Sequence, residues 1–273
     1  METAPASLED QGRGRPVTRL IAISDFIRRP LVGLGFRDCD LSTVYNGVDV
    51  ECFHPEPGGR AAVLEEFGIP PDHAVVVFLS AFLLPWKRPE IALDVCRILR
   101  ERGVPFTLIM CGTGPLRAEL ETEARTLGIA DALRWPGQYP QPHRLLQAAT
   151  ASLHTSVGEA FGNVLAEAMA CGVPIVATRS GATPEVIDNY GNGLLVAPGP
   201  GEVPQLAAAV EKLIRDPRLS ESMGIAGTAR AQYEFPVKHS VRRTLDVCAS
   251  LSSRVAGTAA ARPPGEARVG PAQ

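Results

Sequence analysis

The sequence predicts an α/β fold, a doubly wound parallel sheet with helices on both faces. Three observations carry that prediction. Between residues 75 and 196, short β-branched runs alternate with stretches of helical period. Prolines stand at or near the first turn of several helical stretches, where a missing N–H costs nothing. The stretch GEAFGNVLAEAMACG at residues 158–172 is bracketed by two short buried runs, ASLH at 151–154 and PIVA at 174–177, which makes a strand, loop, helix, strand unit.

Residues 19–34 read as a strand followed by a helix, and 42–45 as a strand running into the turn signal Asn46-Gly47. These elements cannot make a domain alone. The sheet strands follow at 75–80, 106–111, 132–135, 151–154, 174–178 and 194–196, with helices between them at 89–102, 115–127, 142–149 and 161–171. Further helices are predicted at 203–215, 219–231 and 237–253. Residues 1–17 carry acids, prolines and glycines, and 254–273 are biased toward Ala, Gly and Pro; both ends are expected to be disordered.

At 273 residues and 45% apolar composition, the chain can hold one large domain, or one domain with a fragment of another. A net charge of −3, with no Lys/Arg block, argues against a nucleic-acid partner. The amino terminus has no apolar h-region, which makes the cytoplasm the default location. The longest apolar run, 74–86, contains Ser80 and Pro85 and falls short of the ~20 residues a membrane span needs. Its end, 82–86, reads as an apolar strand end facing a domain cleft rather than a membrane-touching loop. The six cysteines show neither CxxC nor a paired-histidine spacing, so they are expected to be reduced, mostly buried thiols with no metal or disulfide framework.

Candidate chemistry centres on Glu159 and Glu167, two carboxylates placed around a Gly-bearing helix start. In a parallel sheet the loop before that helix opens at the carboxyl ends of the strands, where ligands of doubly wound folds bind. Free N–H groups near Phe161, Gly162 and Asn163 favour an anion such as a diphosphate. Glu167 follows about five residues on, roughly 7.5 Å along the axis, where it could accept hydrogen bonds from sugar hydroxyls. Lys87 stands after the first sheet strand in a chain whose other lysines are only Lys212 and Lys238. Gly112-Thr113-Gly114 is not a dinucleotide fingerprint, because Arg117 occupies the place of the third glycine. Asp38-Cys39-Asp40 reads as a solvated loop rather than a metal motif, and His154 as a packed histidine. An acid and nucleophile pair of a glycoside hydrolase is disfavoured, since nothing else resembles such an enzyme.

Glu159 and Glu167, embedded in EAFGNVLAEAMACG, resemble the Glu-x7-Glu motif of retaining glycosyltransferases of the GT-B fold. The stretches IAISDFIRRPL, VYNGVDVECFHP, MCGTGPLRAEL and SGATPEVI also fall in the order that family uses, and the resemblance covers residues 17–247. It implies a Rossmann-like donor-binding domain at 61–232, a remnant of a second Rossmann-like, acceptor-binding domain at 18–46, a linker at 47–60, and a carboxy-terminal helix at 233–253. It assigns catalytic roles to Lys87, on the donor diphosphate, and Glu159, on hydroxyls of the transferred sugar. It places Glu167 on the ribose, Gly112 and Gly114 in a turn lining the nucleotide, and Phe161, Gly162, Asn163 and Val164 at the helix start that meets the donor. The family's Gly-Arg pair is replaced here by Ala81 and Phe82. Loss of such a charge-assisted hydrogen bond costs roughly 1.5–3 kcal/mol, unless Arg88 supplies the charge.

The activity so implied is metal-independent transfer from a UDP- or GDP-linked sugar with retention, and it needs no cofactor. The acceptor is unspecified, a lipid and a glycan both being compatible, as is peripheral contact with the inner face of a membrane. A second reading is a donor-binding module, catalytically silent without a separate acceptor-domain chain.

Overall fold

A computed structural model describes residues 19–260, with the backbone alone at 81–82 and 252–260. The chain begins with β1 (Leu20–Ala22), α1 (Asp25–Gly33) and β2 (Leu41–Thr43), in which β1 and β2 pair in parallel as a two-stranded sheet. Then come α2 (Gly59–Glu66), β3 (Ala74–Phe82), α3 (Pro89–Glu101), β4 (Phe106–Thr113), α4 (Arg117–Thr126), β5 (Leu133–Gly137), α5 (Pro142–Gln147), β6 (Ala151–His154), α6 (Asn163–Ala170), β7 (Ile175–Thr178), α7 (Thr183–Val186) and β8 (Gly193–Val196). Three helices close the chain: α8 (Glu202–Arg215), α9 (Pro217–Glu234) and α10 (Val237–Ala260).

The large sheet has six strands in the order β5-β4-β3-β6-β7-β8, all parallel. Its strands are buried on both faces, which is why they read as unbroken apolar runs. Side chains alternate between two cores. Val76 and Phe78 of β3 face a cluster with Leu93, Leu99, Leu120, Leu206 and Leu213 from α3, α4 and α8. Val75 and Val77 face the opposite cluster, with Val63, Leu145, Leu165, Met169 and Ala231 from α2, α5, α6 and α9.

From β3 the chain winds outward through β4 to β5, then crosses back to β6 and winds the other way through β7 to β8. The reversal therefore falls between β3 and β6, and a crevice opens beyond the carboxyl ends of those two strands.

The expected α/β class and the six sheet strands are present, with shifts at the ends. The first unit's second strand stops at Thr43 rather than 45, and the last helix runs to Ala260 rather than 253, so the tail expected from 254 is helical in its first part. Residues 1–17 and 261–273, expected to be disordered, lie outside the described residues. Helices α2 and α7 were not expected. Cys96, Cys111 and Cys171 are buried, whereas Cys39, Cys52 and Cys248 are exposed, so the thiols are not mostly buried; no two of them are joined as a disulfide. Among the described residues no helix is long and apolar enough to cross a membrane.

Candidate active site at the sheet reversal

Two loops meet at the crevice. After β3 the chain makes a short 3-10 turn, Pro85–Lys87, and passes through Arg88, whose φ of 50° is left-handed, into α3. After β6 it runs through Thr155 to Gly162 and starts α6. The loops are stitched together: the Thr155 hydroxyl lies 2.8 Å from the carbonyl oxygens of both Lys87 and Arg88, and the Val157 amide donates to the Trp86 carbonyl at 3.0 Å.

This stitching brings Lys87 and Glu159 together. The ammonium donates to Glu159 Oε2 at 2.7 Å, with the two side chains 22% and 14% exposed. His154, buried at the end of β6, places Nε2 3.3 Å from the same oxygen. That nitrogen is enclosed and makes no aligned hydrogen bond among the described residues. Burial would push the Glu159 carboxyl up, but His154 and Lys87 outweigh it and hold the group at about 2. Glu159 is therefore an anion throughout the physiological range.

Glu159 also sits tightly on the start of α6. A Cβ on Gly162, whose φ is +88°, would lie 3.2 Å from Glu159 Cγ and 2.7 Å from Leu165 Cδ1, so only glycine lets the carboxylate stem lie there. The first turn of α6 has no side-chain cap, which leaves the amides of Asn163 and Val164 available to an anion, while the Leu165 amide donates to the Gly162 carbonyl at 2.9 Å. Asn163 is exposed, though its side-chain oxygen accepts from Asn46 Nδ2 at 3.0 Å. Val164 is half-buried on the same turn. Glu167, one turn on, is largely enclosed, and burial pushes its carboxyl up from the ordinary value.

Other expected site residues are committed elsewhere. The Phe161 ring is 1% exposed and packs between Tyr45 and Phe235, with centroids 5.9 and 5.6 Å away, so only its backbone can reach a ligand. Arg88 forms a two-point pair with Glu202 at 2.7 and 3.1 Å. Glu202 is buried and also accepts from Thr178 Oγ1 at 2.6 Å; burial pushes its carboxyl up, but Arg88 and Thr178 keep it below the ordinary range. The charge of Arg88 is thus already matched. Gly112 lies near the end of β4 and Gly114 just past it, and Gly114 packs on the Leu83 backbone, whose amide donates to the Thr113 carbonyl at 2.6 Å. That turn supports the β3–α3 loop from below. The side chains of Ala81 and Phe82 lie outside the described residues.

Asp38, Cys39 and Asp40 form a short 3-10 turn in which Asp40 pairs with Arg37. Among the described residues no three His, Cys, Asp or Glu side chains gather as a metal-holding group. A cavity of about 440 Å³ lies away from the crevice, against α9 and Pro55. His154 is packed, as expected, but its approach to Glu159 was not foreseen, nor were Ser24, which donates to the Ala160 carbonyl, and Glu185, which accepts from the Asp25 and Phe26 amides; these contacts depend on long-range folding.

Comparison with known proteins fits this geometry. A family model described as Glycosyl transferases group 1 matches residues 60–230. The GDP-mannose-dependent alpha-(1-6)-phosphatidylinositol monomannoside mannosyltransferase of Mycolicibacterium smegmatis is 34% identical over 190 residues, covering 66% of this chain and 49% of that protein. A D-inositol 3-phosphate glycosyltransferase of Thermobifida fusca is 33% identical over 226 residues, covering 78% and 51%. The chain spans about half the length of the curated relatives it matches. The crystal structure of Anabaena HepE in complex with UDP and glucose superposes with a TM-score of 0.79 at 26% identity, covering 85% of this chain and 63% of that one.

Proposed function

The chain belongs to the glycosyl transferases group 1 family, and from this we infer that it captures a nucleoside diphosphate sugar and transfers the glycosyl group with retention of anomeric configuration. The observation that carries the reading is the Lys87–Glu159 pair set against the uncapped start of α6. It offers one cation and the Asn163 and Val164 amides to a diphosphate, and a fixed anion to sugar hydroxyls.

In the proposed reaction the bond between the anomeric carbon and the phosphate oxygen breaks, and its electron pair goes to the departing diphosphate. The acceptor oxygen bonds on the same face, and its proton passes to the leaving phosphate oxygen. Charge grows on the diphosphate as this happens. Lys87 and the α6 amides then bind the transition state more strongly than the ground state, which is the condition for catalysis. Glu159 orients the sugar, Glu167 binds the ribose, and the Gly112–Gly114 turn bounds the nucleotide. With this positive charge supplied by the protein, no metal or cofactor is assigned.

One relative is named for GDP-mannose and the HepE complex holds UDP, so both nucleotides belong in the donor test. A lipid acceptor accords with the relative named for a phosphatidylinositol monomannoside. Calorimetry with UDP, GDP, UDP-glucose and GDP-mannose tests donor capture. Binding of at least one nucleotide sugar, weakened tenfold or more by Lys87→Ala, is expected; parental affinity in that variant would remove Lys87 from the site. A second reading is favoured by the half-length match to relatives: donor binding without transfer, until an acceptor-binding chain is supplied. Product formation by this chain alone would dismiss it.

A further inference from the structure

The residue Glu185 lies in the short helix α7, far from β1 in sequence, yet its carboxylate closes the start of α1. One oxygen accepts from the Asp25 amide at 2.8 Å and the other from the Phe26 amide at 2.7 Å. Tyr45 donates its hydroxyl to the same group at 3.2 Å. Burial, together with Glu185 beside it, pushes the Tyr45 phenol up to about 12, so it remains a donor. A carboxylate on two first-turn amides satisfies orphan donors and the helix dipole together.

The strap that carries Glu185 is equally tied to the Glu159 loop. Ala182 donates its amide to the Glu159 carbonyl at 2.8 Å, and Gly158 donates its amide to Ser180 Oγ at 2.9 Å. A Cβ on Gly181, whose φ is +61°, would sit 2.3 Å from Glu159 O and 2.4 Å from Glu159 N, so the two backbones are in direct contact. Thr183 locks the strap internally, accepting from the Ser180 amide and donating to the Thr178 carbonyl, both at 2.9 Å. From the far side, Arg230 donates to the Glu185 carbonyl at 2.9 Å. A second tie bypasses the strap: Ser24, the α1 cap, donates its hydroxyl to the Ala160 carbonyl.

We propose that Glu185 is a positioning residue that clamps the β1–α1–β2 unit to the loop bearing Glu159, so that displacement of that unit moves the carboxylate assigned to the donor sugar. This rests on the donor reading above. Any rotation of α1 relative to the sheet must either break two charge-assisted hydrogen bonds or carry residues 180–185 with it. Because that strap abuts the Glu159 backbone, the movement reaches the sugar end of the site first, and Lys87, carried on its own loop after β3, feels it only through its ion pair with Glu159. Seating of the first unit and engagement of the sugar are thereby linked.

The test uses the full chain and separates the two ends of the ligand. Glu185→Gln keeps the shape but turns one acceptor into a donor facing an amide. It is expected to bind UDP and GDP within twofold of the parent, while losing about tenfold in affinity for UDP-glucose or GDP-mannose, whichever the parent prefers. Glu159→Gln should remove the same sugar-dependent increment, and the double variant should lose no more than either alone. Equal losses for nucleotide and nucleotide sugar, an intact sugar increment, or additive losses would overturn the proposal. Should Glu185→Gln fail to fold, Tyr45→Phe weakens the same clamp and is read in the same way. If the parent binds none of the four probes, the donor reading fails. The clamp is then decided by hydrogen exchange: amides of residues 158–162 must exchange faster in the Glu185→Gln variant, or in Tyr45→Phe if that variant does not fold, and unchanged exchange would overturn it.

Discussion

The carboxylate of Glu159 is held at about 2 against an ordinary value of 4.5. A depressed folded-state value means that its ionisation stabilises the fold above pH 4.5 and that this contribution is lost as the pH falls toward 2. Lys87→Met removes the ammonium that helps hold Glu159 ionised, so Glu159 should protonate at higher pH. Thermal unfolding followed from pH 7 to pH 3 should show the variant losing stability earlier on the acid side than the parent, and superimposable curves would contradict this account. Arg88 makes an opposite case. Its partner Glu202 has a side chain only 4% exposed, so Arg88→Ala leaves a buried charge unmatched at a cost of about 3 kcal/mol. Denaturant unfolding should register that loss; unchanged stability accompanied by weakened diphosphate binding would restore Arg88 to the ligand. Lys87 and Glu159 were each singled out as candidates because both sit in recognisable stretches, but the ion pair between them was not foreseen. The environment of His154 was not, since a single histidine at a strand end carries no signal of which oxygen it will face.

At the scale of elements, strands were the most readable feature. Strand β6 was delimited at both ends, because ASLH is bounded by Ala149-Thr150 before it and the Gly158 loop after it. Helix α2 escaped notice because Val63 is its one buried residue, too few to impose a period. Helix α7, four residues long, is shorter than a period can reveal. Its approach is nevertheless the most exacting in the site. Gly181→Ala would place a methyl group against the Glu159 backbone in a left-handed conformation, at an expected cost of about 2 kcal/mol or more. Chemical denaturation of that variant measures it directly, and parental stability would show that the strap can yield.

Across the whole molecule, alternating apolar runs and helical stretches made a parallel sheet readable, whereas the strand order that puts Lys87 beside Glu159 depended on the reversal between β3 and β6. The crevice there joins loops separated by about 70 residues of sequence, and no local pattern encodes that meeting. A nucleoside diphosphate that binds the folded chain must raise its melting temperature in proportion to the logarithm of ligand excess. Scanning calorimetry over a hundredfold range of UDP and of GDP is expected to show that rise for one of them, and flat responses to both would count against the donor site.

The chain leaves its smaller unit just past Asn46, where it is fastened to the end of α9 and the start of α10. The Val48 amide donates to the Phe235 carbonyl at 2.7 Å, the Val237 amide returns a bond to the Val48 carbonyl at 2.9 Å, and Gly47 lies against the Val237 backbone. Segments so fastened form a pivot for the smaller unit: any swivel begins within a few residues of Asn46, whose amide grips the first residue of α6, and takes the Glu185 strap with it.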